Sequence, residues 1–216
     1  MPPTTKIFSP GKFVTPFSPE YFLLYYVIDF LDWRQYMLRR FKQFFWAIFS
    51  KMTDKDREYV NSYLNLMEQT LFYHLDPITQ KHCVRVARTC EKLFDRLDSE
   101  QQSCLNREAL IKGALLHDIG KVSFQISLLE RVIMVMVNAL FPGLVKKYAY
   151  LDYRSPLSWW HRMCHSYLYH GEIGWNVART INTIDSITLQ LIRHHHSQEH
   201  KIPAEIEILR LADNLN

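Results

Sequence analysis

Residues 115–121 read Leu-Leu-His-Asp-Ile-Gly-Lys, so that two side chains of the kind that bind metals follow an apolar run. His117 offers one neutral ring nitrogen to a cation, whereas the two carboxylate oxygens of Asp118 can bridge two cations. Gly120 lets the backbone turn away after these ligands, and Lys121 then stands beside them as a counter-charge for a phosphate. The segment predicts a metal-binding helix end. A plain polar helix end with a lysine favoured by the helix dipole has the same sequence, so the choice depends on the rest of the chain.

The apolar residues on either side of this segment recur every three or four positions, as they do on one face of an α-helix. Short sequences that favour helix starts, with a capping side chain, a proline or an early acid, lie between these runs. They occur at Ser18-Pro19-Glu20, Thr53-Asp54, Asp76-Pro77, Asn106-Arg107-Glu108 and Pro203-Ala204-Glu205. The chain has only 6 glycines and no convincing alternating segment, which argues against strands. We therefore predict an all-α fold.

The length and composition are those of a globular protein of one domain, or of one domain with an appendage. Of the 216 residues, 48% are hydrophobic and 22% are charged, which excludes a disordered chain. The 4 cysteines form no Cys-x-x-Cys pair, and the N-terminus lacks the basic-then-apolar order of a signal peptide. No stretch reaches the roughly 18–20 uncharged apolar residues of a membrane span. We expect a cytoplasmic protein with reduced thiols that does not cross a membrane.

Residues 1–51 form a separate, aromatic-rich helical segment in this interpretation. They carry seven basic and three acidic residues, whereas the remainder of the chain is balanced. Within residues 18–51 the second predicted helix has an apolar stripe with basic residues elsewhere, a pattern that suits peripheral binding to a membrane or self-association. Packing against the main domain or against a partner is the commoner outcome for such a helix, and we favour it. The sequence leaves the oligomeric state open.

A second distinct region, residues 122–160, separates two groups of candidate metal ligands. It contains an apolar helix from Leu128 to Leu140, a break at Phe141-Pro142-Gly143, and a polar aromatic loop from Tyr148 to Trp160. Two further histidines, His161 and His165, follow it. They either face the same cleft as the ligands or lie on the exposed side of a short helix.

Further metal-ligand side chains lie on the helices around residues 115–121. His82 begins the apolar stripe of the preceding helix, and His170 is predicted at the start of a later helix. The run His194-His195-His196 ends the helix that follows Ile187, and Asp213 lies on an apolar helix where an acid needs a partner or an ion. A lone histidine is usually an ordinary core or surface residue. Ligand side chains on several successive helices instead predict a metal site.

This ordered set resembles the HD-domain superfamily of metal-dependent phosphohydrolases in its HDIG form, over about residues 76–216. The helix before His82 and the segment Ser127-Leu128-Leu129-Glu130-Arg131-Val132 are similar to those of small HD proteins from Gram-positive anaerobic bacteria. That likeness implies that residues 54–75 belong to the domain too. We therefore expect an HD-domain helical bundle over residues 52–216, with residues 1–51 as an N-terminal extension.

The resemblance also implies how the ligands are divided between two metals. His82, His117, Asp118 and Asp213 would hold the first metal, and Asp118 would bridge to a second metal held by His170 and a pair of histidines. The family pattern Ile-x-x-His-His fits residues 192–196 and selects His195 and His196, which leaves His194 as a neighbour. The choice of pair from the three histidines stays open at this point.

The activity implied by the resemblance is hydrolysis of a phosphodiester or phosphoanhydride bond in a phosphorylated small molecule, of nucleotide type, by a metal-activated water. Histidine and carboxylate ligands favour two divalent transition metals, iron or manganese, over magnesium. Asp118 and Lys121 would be catalytic, and Lys121 would also bind substrate phosphate. Arg85 and Arg193 either grip phosphates or are ordinary surface arginines. No nucleic-acid partner is expected.

The sequence departs from one family pattern, because the Gly-Tyr-Pro loop that follows the histidine pair in enzymes that cleave cyclic di-GMP is missing. Specificity for that substrate therefore does not transfer. Two other functions stay open: a di-iron oxygenase of the HD fold, which would consume O₂, and a weakly active nucleotide-binding signalling protein. The second is disfavoured because no ligand position is substituted.

Overall fold

The structure, a computed structural model, describes residues 51–124, 128–149, 159–196 and 203–216. Within these segments the chain forms ten α-helices and one 3-10 helix, and no strand. The α-helices are α1 (Asp54–Tyr63), α2 (Leu66–Tyr73), α3 (Pro77–Phe94), α4 (Ser99–Ser103), α5 (Arg107–Leu116), α6 (Leu128–Leu140), α7 (Pro142–Ala149), α8 (Trp159–Ala178), α9 (Ser186–His194) and α10 (Glu205–Leu215), and the 3-10 helix is Ile119–Phe124. The all-α prediction is confirmed. Apart from Lys51, the predicted N-terminal extension lies outside the described residues.

The helix starts follow the capping residues that the sequence shows. The Thr53 side chain accepts a hydrogen bond from the Asp56 backbone N–H while the Asp56 carboxylate accepts one from the Thr53 backbone N–H. Asp76 caps α3 and Asn106 caps α5 in the same way, by accepting from backbone N–H groups of the first turn. Each such cap stabilises a helix by about 1 kcal/mol. Only α10, which begins after Ala204, has no side-chain cap among the predicted starts that the structure describes.

The main apolar core lies between α3, α5, α9 and α10. Helix α5 packs against α3 and α9, and α10 packs against α3. Their inward side chains are fully buried, and burying each one stabilises the fold by about 1.5–3 kcal/mol. They include Val86, Leu110, Leu115, Ile192 and Leu209. This core fixes the ends of α5 and α9, where the candidate ligands lie.

A second, smaller core joins α6 and α7 to the first half of α8. It contains Met134, Val145, Ala149, Met163 and Cys164. The predicted helix Leu128–Leu140 and the break after it are confirmed, since α6 ends at Leu140 and α7 begins at Pro142. The predicted loop from Tyr148 to Trp160 is wrong at both ends, where Tyr148 lies in α7 and Trp160 in α8. Residues 150–158 lie outside the described part of the chain.

The predicted helix start at His170 is also wrong. His170 lies in the second half of the 20-residue helix α8, which begins at Trp159. The helix extends upstream because Met163, Cys164 and Ser166 are buried against its neighbours and stabilise the earlier turns.

Among the helices that the structure describes, none is long and apolar enough to cross a membrane. The boundary between residues 51 and 52 stays a prediction.

Two glycines in helices provide a matched test of this packing. A Cβ on Gly113 of α5 would lie 2.6 Å from Leu191 Cδ1 of α9, whereas a Cβ on Gly143 of α7 would meet nothing within 4 Å. We predict that Gly113→Ala lowers the free energy of unfolding by about 1–3 kcal/mol through overpacking. Gly143→Ala should raise it by about 0.5–1 kcal/mol through helix propensity. Urea denaturation measures both, and a neutral or stabilising Gly113→Ala would contradict the close contact of α5 with α9.

Candidate metal centre

The helix ends that meet at the edge of the main core bring two groups of ligand side chains together. The first group is His82 of α3 with His117 and Asp118, which directly follow α5. The second group is His170 of α8 with His195 and His196, which directly follow α9. In each group the ligand atoms lie within 4.8 Å of one another.

The first group extends to Asp213 of α10. Asp118 Oδ2 lies 3.5 Å from His117 Nε2 and 4.0 Å from His82 Nε2. Asp213 Oδ1 lies 3.0 Å from His82 Nε2 and 3.8 Å from His117 Nε2. Two imidazole nitrogens and two carboxylate oxygens from three helices therefore converge on one small volume.

The second group meets the other oxygen of the same carboxylate. Asp118 Oδ1 lies 3.5 Å from His170 Nε2, which in turn lies 3.0 Å from His195 Nε2. The ring of His196 lies 4.2 Å from the His195 ring and 5.1 Å from the His170 ring, between centroids. The two oxygens of Asp118 thus face two different groups of histidines.

Backbone hydrogen bonds fix the tautomer of three of these histidines. In each, Nδ1 lies 2.8–3.0 Å from the backbone carbonyl three residues earlier, so that Nδ1–H donates and Nε2 keeps its lone pair. The pairs are His117 with Ala114, His170 with Tyr167, and His195 with Ile192. The Nε2 atoms of His170 and His195 then face each other as two acceptors only 3.0 Å apart, an arrangement that a cation relieves.

Two buried polar atoms at the junction of the groups have no hydrogen-bond partner among the described residues. They are His117 Nε2 and Asp118 Oδ1, and both residues are only 1% exposed. An orphaned buried polar atom costs on the order of 1–3 kcal/mol, and more when it is charged. A divalent cation in each group would give both atoms a partner, so the residues present fit a pair of metals.

A family model described as HD domain matches residues 79–216. The chain belongs to the HD-domain family. The matched span contains all six residues of the two groups and Asp213. HD domains are metal-dependent hydrolases that bind divalent metals. No curated protein and no solved structure matches the chain.

The interior of this HD domain keeps the ligands in the charge states that metals require. Burial, and secondarily the charge of Lys121, lowers the pKa of His170 to about 3. Burial and the neighbouring His196 lower the pKa of His195 well below its ordinary value. For Asp118 burial raises the pKa, but the charges of His117 and Lys121 outweigh it and hold the pKa well below its ordinary value. Neutral imidazoles at His170 and His195 and an ionised carboxylate at Asp118 are therefore the forms present near pH 7.

Glycines let α8 approach the 3-10 helix after Asp118 closely enough for Asp118 to reach His170. A Cβ on Gly120 would lie 1.9 Å from the His170 carbonyl oxygen, and one on Gly171 would lie 2.7 Å from the Arg193 carbonyl oxygen. The α-helix ends at Leu116, and the chain continues through Gly120 in the 3-10 helix. Close contact with α8 is the structural reason for glycine at this position.

The remaining predicted site residues are placed less uniformly. Lys121 Nζ lies 2.6 Å from Asp118 Oδ2, at the edge of the first group. Arg193 is exposed and forms an ion pair with Glu172 at 2.6 Å, with its guanidinium over the Trp175 ring. Arg85 is half-buried, and burial lowers its pKa.

The other candidate histidines lie outside the two groups. His165 Nδ1 contacts the Ala149 carbonyl oxygen, and the ring of His161 packs against Tyr148. The ring of His194 belongs to neither group, but its backbone carbonyl accepts a hydrogen bond from Arg210. Arg210 is not predicted from the sequence, where its only signal is its position three residues before Asp213 on the same helix.

The low pKa of His170 makes the stability of the metal-free protein depend on pH. Its pKa of about 3 in the folded protein lies below the unfolded value of 6.5. The stability that depends on a neutral His170 is therefore fully present above pH 6.5 and is lost as the pH falls towards 3. Between pH 6.5 and 5 this residue alone should lower the free energy of unfolding by about 2 kcal/mol. Urea denaturation in EDTA at several pH values measures the slope.

His170→Gln should flatten the dependence of the free energy of unfolding on pH. The control His74→Gln changes an exposed histidine between α2 and α3 and should leave that dependence as in the wild type. Equal slopes in the two variants would contradict a neutral, buried His170.

Proposed function

We propose that this HD domain hydrolyses a phosphodiester or phosphoanhydride bond of a nucleotide-type substrate at a binuclear metal site. The observation that supports this most strongly is the placement of Asp118 between the two groups of histidines. Its Oδ2 faces His82 and His117, whereas its Oδ1 faces His170. A carboxylate shared in this way is suited to holding two cations at the close separation that phosphoester hydrolysis uses.

The first metal would be held by His82, His117, Asp118 and Asp213. Asp118, His170, His195 and His196 would hold the second. Imidazole nitrogens together with carboxylate oxygens suit iron or manganese, whereas magnesium prefers an all-oxygen shell. When bound, two such cations lower the pKa of a shared water and attract the phosphoryl oxygens.

The residues of the chain contribute orientation and charge. The carbonyls of Ala114, Tyr167 and Ile192 hold three imidazoles with Nε2 directed at the site. Lys121 Nζ lies 2.6 Å from Asp118 Oδ2 and offsets the charge of that carboxylate. Once cations take over that task, the Lys121 ammonium would turn to a non-bridging phosphate oxygen of the substrate.

The proposed phosphate contacts beyond Lys121 are Arg85 and Arg193. Arg193 would have to exchange its ion pair with Glu172 for a phosphate, which a doubly charged phosphoryl group favours. We place the enzyme in the cytoplasm, where the buried free thiols of Cys83, Cys90 and Cys164 stay reduced. A phosphorylated small molecule, and no nucleic acid, is the proposed partner.

Metal content tests the binuclear site. We predict two equivalents of manganese or iron per chain in the wild type, one in His170→Ala, and fewer than one in Asp118→Ala, because only Asp118 serves both groups. Elemental analysis of the loaded protein measures this, with His74→Ala as the control. If the wild type binds less than one equivalent and His117→Ala changes nothing, the enzymatic proposal fails.

Turnover tests the role of Lys121. Lys121→Met should lower hydrolysis of the best substrate in a nucleotide panel by on the order of 100-fold, because one charge that stabilises the transition state is lost. Its metal content should stay at the wild-type value. The control Lys92→Met removes an exposed lysine of α3 and should leave turnover unchanged. Full turnover in Lys121→Met would refute this role.

The alternative function, a di-iron oxygenase, has a different readout. O₂ consumption by the iron-loaded protein without hydrolysis would favour it.

A further inference from the structure

The end of α9 carries the histidines of the second group and needs partners for its last carbonyl groups. The histidine segment, His194–His196, begins at the last residue of α9. Carbonyls in the last turn of a helix have no partner within the helix. Two of them accept hydrogen bonds from one guanidinium: Arg210 Nη2 donates to the His194 carbonyl at 3.0 Å, and Arg210 Nε donates to the His195 carbonyl at 3.2 Å.

Arg210 is itself held in a fixed orientation. Its Nη1 donates to Glu207 Oε1 at 2.8 Å, one turn earlier on α10. The Arg210 side chain is only 22% exposed, so the guanidinium is largely shielded from water. A planar group with three bonds in different directions has little freedom to move. The carbonyls of His194 and His195 are therefore fixed relative to α10.

The position of these carbonyls decides where the His195 imidazole points. Its Nδ1 is tied to the Ile192 carbonyl at 2.8 Å, and its Nε2 faces His170 Nε2 at 3.0 Å. Because Nδ1 ties the ring to the backbone of its own segment, a shift of that backbone carries Nε2 with it. Metal ligands tolerate displacements of only about 0.5 Å before binding weakens.

The same helix supplies a ligand of the first group. Asp213 lies three residues after Arg210 on α10, and its Oδ1 is 3.0 Å from His82 Nε2. One helix thus contributes a carboxylate to the first group and an anchor to the backbone of the second group. The two groups are therefore connected through one turn of α10, from Arg210 to Asp213.

We propose that Arg210 is a positioning residue for the second metal, which it serves by holding the histidine segment against α10. Arg210 acts through His195 and His196 and touches neither metal nor substrate. This inference rests on the proposed binuclear site. It predicts a selective effect: loss of Arg210 weakens the second metal and leaves the first, whose ligands lie on α3, α5 and α10, in place.

A purely structural role of Arg210 as a helix cap predicts something different. Loss of a cap lowers the free energy of unfolding, and any effect on metal binding would then affect both metals together. The number and affinity of bound ions, compared with stability, separates the two roles.

The experiment is manganese titration of the full chain, with bound metal measured by elemental analysis and stability measured by urea denaturation. We expect two equivalents in the wild type and one in Arg210→Leu, with the affinity of the remaining ion unchanged. Arg210→Lys retains the charge but cannot bridge both carbonyls, so it should bind the second ion about tenfold more weakly and recover part of the loss. It also serves as the readout if Arg210→Leu does not fold.

One control removes an arginine outside the centre. Arg179→Leu deletes an exposed arginine that stacks on Trp175. It should bind two ions with wild-type affinity.

Three outcomes would overturn the inference. The first outcome is that Arg210→Lys binds two ions with wild-type affinity, while Arg210→Leu either does the same or does not fold. This result would show that Arg210 does not position the second metal. Equal weakening of both ions would show a structural cap only. A wild type that binds a single ion would remove the binuclear proposal, and this inference with it, whereas the first two outcomes leave the binuclear proposal standing.

Discussion

Asp118 carries an ionised carboxylate at a position that is only 1% exposed, and a charge is stable there only when positive groups surround it. Lys121 Nζ lies 2.6 Å from Asp118 Oδ2. Although burial raises the pKa of Asp118, the charges of His117 and Lys121 hold it well below its ordinary value. The cost of burying this carboxylate is therefore offset by Lys121 and by His117, one of the side chains that would bind metal. The helices must converge on one point for this to work, and most of the fold can be understood as the means of holding them there.

That convergence depends on close backbone contact at α8. Gly120 and Gly174 allow the 3-10 helix to lie against α8, since the backbone nitrogen of Gly120 would lie 3.1 Å from a Cβ on Gly174. Gly171 does the same between α8 and the end of α9. Larger residues at these positions would separate Asp118 from His170 and His195. The scarce glycines of this chain are thus concentrated where the two groups of ligands meet.

Much of this arrangement is predictable from local sequence. Helix starts at Thr53, Asp76 and Asn106 follow from capping chemistry, which involves residues only two or three positions apart. The ligand types were also visible, because histidine and aspartate next to apolar runs are chemically conspicuous. The choice of His195 and His196 over His194 came from a family pattern, and the structure places these two rings beside His170.

What the sequence did not predict depends on contacts between distant residues. The start of α8 at Trp159 is set by burial against α6 and α7, which a local pattern does not contain. The contacts of Gly120 with α8 and of Arg210 with the histidine segment join parts of the chain that are many residues apart. Each becomes visible only when the helices are placed in three dimensions.

The most direct test of a shared Asp118 is a crystal structure of the manganese-loaded protein with anomalous diffraction. We expect two anomalous peaks about 3.5–4 Å apart, with one Asp118 oxygen bound to each. The first ion should also contact His82, His117 and Asp213, and the second should contact the histidines of the other group. A single ion, or two ions of which Asp118 binds only one, would show that Asp118 is not shared between two metals.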